Sequence, residues 1–529
     1  MREWPLTVND APQPASVPAA DAFDGAAIAE ACDGVLLRGS PRRIRGGAVD
    51  SRRVEPGVAF FALPGAHRDG HEFLRDAVER GAAALMISRA LPETALEALV
   101  APAPEGVSIV RVADGLAALH AFAAAWRRRF APLVVGITGS VAKTSVKEAV
   151  ATVVAERRRV LRSEGNENNE IGLPLTLLRL DAAHEVAVLE MGMYVPGEIA
   201  QLAALARPQV GIVTAVRGVH LERAGSIEAI EVGKGQLVEA LPVDGTAILN
   251  ADDERVRRMD RRTRARVMTY GFAADADVTA RAVTSLGLEG MRFALRLPGA
   301  VEREVRVPVL GRHGVHNGLA AAAAGFAIGL DADAIVAGLE RGWRAPHRDA
   351  LLEVGPWNVI DDTYNASPDS MAAALDLLAS LPGRHVAVLG EMLELGAEGP
   401  ALHRRVGAQA ARRSDVLVAV GEGGALIAEG ARDAGMSRDD VRPVRDLEAA
   451  LVELLARLQP GDTVLLKASR GLGMDPQVRS GRGLGLDDLV AALERAGAAP
   501  ARDGLAGPGV GRGRTRAHGS TRAAGAARR

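Results

Sequence analysis

The residues of this chain best suited to chemistry lie in Gly139-Ser-Val-Ala-Lys-Thr-Ser145, which follows the apolar run Leu133-Val-Val-Gly-Ile-Thr138 and leads into a helical pattern. A strand, a glycine-bearing loop and a helix start, in that order, turn backbone N–H groups toward an anion. A lysine at the end of such a loop can reach outer phosphates, and a threonine after it can offer its hydroxyl to Mg2+. Gly139, Ser140, Val141, Ala142, Lys143, Thr144 and Ser145 are therefore candidate polyphosphate contacts. The usual pattern has glycine immediately before the lysine. Ala142 stands there instead, and its Cβ is costly if the position needs a positive φ. Taken alone, the motif also suits an ordinary strand-to-helix turn with an exposed lysine.

Of the 64 basic residues only Lys143, Lys147, Lys234 and Lys467 are lysine; the other 60 are arginine. Where any positive charge would serve, this chain uses arginine. Its lysines are thus candidates for work a guanidinium cannot do, such as a compact charge on phosphate or an amine that loses its proton and reacts. Lys147 is read as lying on the exposed side of the first helical turns and is the expected bystander.

Other polar residues stand where apolar runs end. Glu190 closes Val186-Ala-Val-Leu, Asn250 closes Thr246-Ala-Ile-Leu, and His220 follows the run that starts at Val210. A glutamate ending a buried strand is expensive to place unless it meets a cation, which makes Glu190 a candidate metal ligand. A single histidine beside a loop is more often a surface or capping residue. The loop Asn166-Glu-Asn-Asn-Glu-Ile-Gly-Leu-Pro174 carries the amides Asn168 and Asn169, which suit a polar substrate or simply a turn. Further on, strand ends carry Asp361, Asp362, Tyr364 and Asn365, then Lys467, Ser469 and Arg470, and so many together argue for a site. Ser51 and Arg52, before a Pro-Gly turn, suit a phosphate or nucleotide-sugar, or equally a cap on the turn.

These positions require a scaffold of parallel sheets, whose ligands sit at the carboxyl ends of strands. With 529 residues, 48% of them hydrophobic and 25% charged, the chain has length for three or four domains. Aromatic residues are only 3%, so cores must be built from Ala, Val and Leu. Residues 1–20 read as a disordered lead and 21–127 as an N-terminal domain. In 128–343 strands alternate with helices, as a parallel sheet covered on both faces requires, and in 344–497 the α/β pattern restarts. Residues 498–529, with seven arginines and one acid, read as a disordered basic tail. A net charge of -2 gives no general attraction to nucleic acid or to an anionic membrane. The lone Cys32 excludes an intramolecular disulfide and fits a reducing cytoplasm, and no apolar run is long enough to span a bilayer. The expectation is a soluble, cytoplasmic monomer without nucleic-acid or membrane partners.

Five stretches together resemble the Mur ligases: Gly136-Ile-Thr-Gly-Ser-Val-Ala-Lys-Thr-Ser-Val-Lys-Glu148, Asn168-Asn-Glu-Ile-Gly-Leu-Pro-Leu-Thr-Leu-Leu178, His220-Leu-Glu, Gly311-Arg-His-Gly-Val-His-Asn317 and Asp361-Asp-Thr-Tyr-Asn-Ala-Ser-Pro-Asp-Ser-Met371. The resemblance runs from roughly Asp21 to Leu493. It implies an α/β architecture of three domains: one for a UDP-sugar, a central P-loop ATPase, and a Rossmann-like domain that closes on the site. It implies an ATP-dependent amide ligase of peptidoglycan precursor synthesis, with UDP-N-acetylmuramoyl-tripeptide and D-alanyl-D-alanine as substrates and an acyl phosphate between them.

On that resemblance Lys143, Lys234 and His220 are the catalytic residues. Lys143 holds the β and γ phosphates, Thr144 and Glu190 contact a first Mg2+, and His220 a second. Lys234 falls where the family carries a carbamylated lysine, a metal-binding carboxylate analogue that arginine cannot form. Asn317, Arg348, Asp361 and Tyr364 would contact ATP. Ser51, Arg52, Asn168, Asn169, Asn365, Lys467, Ser469 and Arg470 would meet the substrates. The chain departs from the pattern at Ala142, at Gln236, where an acid commonly follows the lysine, and at Asp475, where glutamate is usual. Two other readings stay open. One is a related ligase of folylpolyglutamate or cyanophycin type, against which Asp50-Ser-Arg52 and Asp69-Gly-His71 argue. The other is a nucleotide-binding regulatory protein, which Ala142 would permit. The identity of the third peptide residue stays open as well.

Overall fold

A computed structural model describes residues 23–65, 68–103, 105–218, 221–469 and 486–497. His220, Arg470, Asp475, the expected lead and the expected tail lie outside the described residues.

Three sheets follow one another along the chain. The first has five strands in the order Val35–Arg38, Ser108–Arg111, Ala84–Ile87, Ala59–Phe61 and Gly47–Ala48, parallel except for the outer pair at Val35–Arg38. The helix Gly115–Arg127 begins where the Asp114 carboxylate accepts from the Ala117 amide, which satisfies one orphan N–H of its first turn. Its apolar residues recur at three- and four-residue spacing, so Ala118, Leu119, Phe122, Ala123 and Trp126 share one face. That face meets the flank of the second sheet. Trp126 lies in one core with Leu180, Leu189 and Met191, and its indole N–H donates to the Leu180 carbonyl at 3.0 Å.

The second sheet has nine strands, in the order Val301–Val307, Met291–Leu297, Val278–Ser285, Arg266–Gly271, Thr246–Asn250, Val210–Val213, Leu133–Thr138, Val186–Glu190 and Val160–Arg162. Leu133–Thr138 pairs in parallel with Val186–Glu190 and Val210–Val213, so the glycine-bearing loop leaves from the sheet's interior. The helix Lys143–Val154 packs on Gly311–Ala327, where Ala320 to Ala324 are fully buried. A Cβ on Gly338 of the next helix would stand 2.6 Å from the Val153 Cα. Small side chains let these backbones approach closely, and a core poor in aromatics is the result.

Two expectations need correction here. Strands and helices do not alternate throughout this region, because Val278–Ser285, Met291–Leu297 and Val301–Val307 form a consecutive antiparallel ladder. The signal is period two: Met291, Phe293, Leu295 and Leu297 are buried, with polar or small residues between them. Such a sheet needs cover on one face only, and Gly311–Ala327 supplies it. Nor is Lys147 an exposed bystander. It is fully buried, its Nζ donates to the Ser163 carbonyl at 2.7 Å, and it pairs with Glu148 at 2.9 Å. A cation on a first helical turn looks like a surface residue until a neighbouring segment supplies carbonyls for it, and that packing is a long-range fact.

The third sheet has six strands, in the order Ala350–Val354, Trp357–Asp361, Thr463–Lys467, His385–Leu389, Val416–Val420 and Val441–Val444. Only the first pair is antiparallel. Among the described residues no helix is long and apolar enough to cross a membrane.

Candidate active site

The loop after Leu133–Thr138 is held in a conformation that its sequence alone disfavours. Gly139 has φ +152, and a Cβ there would lie 1.8 Å from the Thr214 hydroxyl. That hydroxyl donates to the Val141 carbonyl at 2.6 Å, while Ser140 is tied to Ala215 and Arg217, so the loop is pinned along the end of the neighbouring strand. Ala142 has φ 66, in the left-handed region, at a cost of about 1 kcal/mol. No side chain caps the helix that starts at Lys143. Its first amides and the positive end of its dipole therefore face the loop's concavity.

Lys143 donates to the Gly139 carbonyl at 2.8 Å. Burial lowers its pKa, Glu190 opposes that shift, and Arg348 adds to it, which places one anion and two cations around the same space. Lys234, on the helix Ile227–Glu239, is buried and has no hydrogen-bond or ion-pair partner among the described residues. Burial and the nearby Lys143 charge push its pKa well below that of an ordinary lysine. Glu190 is buried at the end of its strand; Oε1 accepts from the Asn168 amide at 2.7 Å, and Oε2 is buried without a partner among the described residues. Thr144 is buried on the first turn of the same helix as Lys143. The fold thus brings Glu190 and Lys234 close to Lys143, at the carboxyl ends of the strands. Among the described residues no group of three or more His, Cys, Asp or Glu is arranged for a metal.

Asn169 turns its Oδ1 to the Gly172 amide at 2.9 Å and so caps a helix. Ser51 is buried beside Asp76, whose carboxyl its hydroxyl helps hold below the usual range. Arg52 is exposed and paired with Asp50 at 2.7 Å. Their loop stands next to the asparagine loop, because Arg53 pairs with Glu167 at 3.1 Å.

From the third sheet, Arg348 lies 4.1 Å over the Tyr364 ring, its Nε buried without a hydrogen-bond partner among the described residues. Asn317 is buried on Gly311–Ala327. Asp361 spends its oxygens on His347 Nδ1 at 2.8 Å and the Thr363 hydroxyl at 2.7 Å. Lys467 is buried against Asp362 and donates to the Asn365 carbonyl at 3.0 Å; two residues on, the Ser469 hydroxyl donates to the Ala366 carbonyl at 3.3 Å. Lys467 and Ser469 thereby fasten the loop that carries Tyr364 and Asn365.

Sequence reading missed Asp349 and His313, which stand 3.1 Å apart beside that pair. It also missed His316, whose Nε2 lies 3.2 Å from Asn250 Oδ1. Only the histidine pair within Gly311-Arg-His-Gly-Val-His316 gave a signal for these. Burial opposes ionisation of Asp349, yet His313 holds its carboxyl down at about 2. Burial and the Asp349 charge push Asp362 up to about 7, against the pull of Lys467.

The sign of the Asp362 shift fixes a test. A carboxyl whose folded pKa is raised binds its proton more readily in the folded chain, so stability falls as pH rises toward that pKa. We expect the wild type to gain about 2 kcal/mol relative to Asp362→Asn between pH 8 and pH 5, read from urea midpoints. A difference constant across that range would show that Asp362 stays ionised.

Comparison with known proteins adds three family matches: the Mur ligase family catalytic domain over residues 43–127, the Mur ligase middle domain over 137–325, and the Mur ligase glutamate ligase domain over 347–470. The UDP-N-acetylmuramoyl-tripeptide--D-alanyl-D-alanine ligase of Mycobacterium tuberculosis is 39% identical over 492 residues, covering 85% of this chain and 95% of that one. The Escherichia coli ligase of the same name is 36% identical over 453 residues, covering 84% and 95%. The crystal structure of MurF from Acinetobacter baumannii aligns with a TM-score of 0.77 at 28% identity, covering 90% of this chain and 99% of that one. The MurF ligase of Thermotoga maritima in complex with ADP aligns at 0.71 with 25% identity, covering 86% and 98%. Similarity of this extent, over all three sheets and across the segments that carry Lys143, Glu190 and Lys234, shows that the chain belongs to the Mur ligase family.

Proposed function

We propose that this chain is an ATP-dependent ligase that joins D-alanyl-D-alanine to the terminal carboxylate of UDP-N-acetylmuramoyl-tripeptide, in the cytoplasmic assembly of peptidoglycan precursor. The relatives named above are ligases of that substrate pair, and they are matched over nearly their whole length. The observation that carries the reading is the gathering around Lys143 of Lys234 and of a Glu190 whose Oε2 has no partner among the described residues.

Phosphoryl transfer from ATP to a carboxylate brings anions together, and the residues must neutralise them and hold them in line. Lys143 and the uncapped helix start behind it suit the outer phosphates. Arg348 with Tyr364, and Asn317, suit the nucleotide from the other side. Amine attack on the resulting acyl phosphate then forms the amide and releases phosphate.

A buried carboxylate oxygen without a donor fits a divalent cation, so Glu190 Oε2 and the Thr144 hydroxyl would hold Mg2+. When bound, the ion supplies positive charge between phosphate and carboxylate. The donor set is one carboxylate short of a good site, and Lys234 suits the deficit. A lysine whose pKa is driven far down is a neutral amine, the form that reacts with carbon dioxide, and the resulting carbamate, its proton lost to solvent, would put an anion in place of a neutral group beside Lys143.

The ligase reading is tested by phosphate release, expected only when ATP, UDP-N-acetylmuramoyl-tripeptide and D-alanyl-D-alanine are all present. Release with neither acceptor nor donor, or no ATP binding, would overturn it. For Lys234→Arg we expect turnover to fall by at least about 100-fold, in the range of lost catalytic groups, with ATP affinity kept; full turnover would remove the carbamate. Ala142→Gly should leave ATP affinity unchanged or raise it by up to about fivefold, as relief of about 1 kcal/mol of left-handed strain allows. Weaker binding in equilibrium titration would show that the loop is adapted to alanine.

A further inference from the structure

At the opposite end of the second sheet from Lys143, an open cavity of about 920 Å3 lies where Leu133–Thr138, Val210–Val213 and Thr246–Asn250 begin. The strands between put it roughly 15–20 Å from the phosphate loop. Its walls are the carboxyl ends of three helices, Gly115–Arg127, Glu198–Ala206 and Ile227–Glu239, together with alanine, leucine and proline side chains.

Three arginines line this cavity: Arg127, Arg128 and Arg207. Elsewhere this chain pairs its arginines readily, as Arg255 with Glu228 and Glu231, or Arg384 with Asp462. Among the described residues none of these three forms an ion pair. The one lining carboxylate, Glu239, is already held by Arg262 at 2.7 Å. The helix ends offset part of the charge. Three carboxyl termini contribute roughly −0.5 each, against three full positive charges, and an excess of more than one remains.

The arginines are also costly where they stand. Arg127 is buried; two of its nitrogens donate to the carbonyls of Phe130 and Pro132, and its Nε is buried without a partner among the described residues. Burial first, and then the Arg207 charge, lower its pKa, so the buried guanidinium also stands close enough to a second cation to be repelled by it. Arg207 has φ 54 at a helix end where glycine is the relaxed choice. Neither helix termination nor packing calls for a guanidinium at that point.

We propose that this cavity binds a small phosphorylated molecule with an apolar or planar body, at a site separate from the pocket of Lys143. Guanidinium forks match phosphate oxygens two at a time, and the excess charge favours a doubly charged group over a carboxylate. The volume is that of an organic ligand rather than a lone ion, and the aliphatic wall gives its body a dry surface.

The probe is 1-naphthyl phosphate, titrated by calorimetry into the full chain with the other sites saturated by Mg-ADP and UDP-N-acetylmuramoyl-tripeptide. We expect one binding event per chain, weakened by at least about tenfold in Arg128→Ala/Arg207→Gly. Both positions are exposed, and glycine suits the left-handed backbone at 207, so the variant should melt with the wild type and turn over normally without probe. Absence of binding to the wild type, equal binding to the variant, or equally tight binding of neutral 1-naphthalenemethanol would overturn the proposal.

Discussion

Everything at the centre of this protein depends on two lysines being forced together away from water. Lys234 feels the charge of Lys143, and Lys143 feels Arg348 on one side and Glu190 on the other, the one anion among the described residues that shift it. An arrangement of this kind is unfavourable in isolation, since desolvating a cation is expensive and a second cation nearby makes it more so. It becomes favourable once anions enter, because the attraction is strongest where water is excluded. The sheet imposes the proximity: Lys143 follows one strand, Glu190 ends its neighbour, and the helix carrying Lys234 leads into another strand of the same sheet.

Backbone strain follows the same geography. Ala142 lies in the left-handed region in the phosphate loop, and His347 and Asp349 lie there on either side of Arg348. Each such residue costs about 1 kcal/mol, and they persist only where the surroundings fix them. In the loop the fixing comes from Thr214 and Ser140; at Arg348 it comes from Tyr364 beneath the guanidinium and from His347 bonded to Asp361. The two strained segments approach the site from different sheets, so each aims a cation or an amide row at a point that relaxed backbone would miss.

How much of this was legible in the sequence depended on whether the signal was local. The phosphate loop, Glu190 at its strand end and the parallel sheets could be read because periodicity and chain order carry them. Scarcity of lysine singled out Lys143 and Lys234, since it is a statement about chemistry rather than position. The same reasoning failed for Lys147, whose carbonyl partners come from the segment at Ser163 and Gly165. It failed again for the antiparallel ladder at Val278–Val307, where a period of two was folded into an expected alternation with helices. The grouping of His313 and Asp349 with Asp362 and Lys467 joins three stretches of chain, and no spacing could have announced it.

Lys467 shows how a polar residue at a strand end can be engaged inside the protein. A strand that alternates its side chains leaves Lys467 and Ser469 on one face, and the loop after Asp361 lies across that face. Both side chains then find carbonyls of that loop, Asn365 for the amine and Ala366 for the hydroxyl. Arginine's flat fork would not donate around a point in the way an ammonium does, to a carboxylate on one side and a carbonyl on another. The rarity of lysine at this position is therefore explained by geometry inside the protein. The loop so fastened carries Tyr364, on which Arg348 stacks, so an interior ion pair sets the position of a cation that faces Lys143.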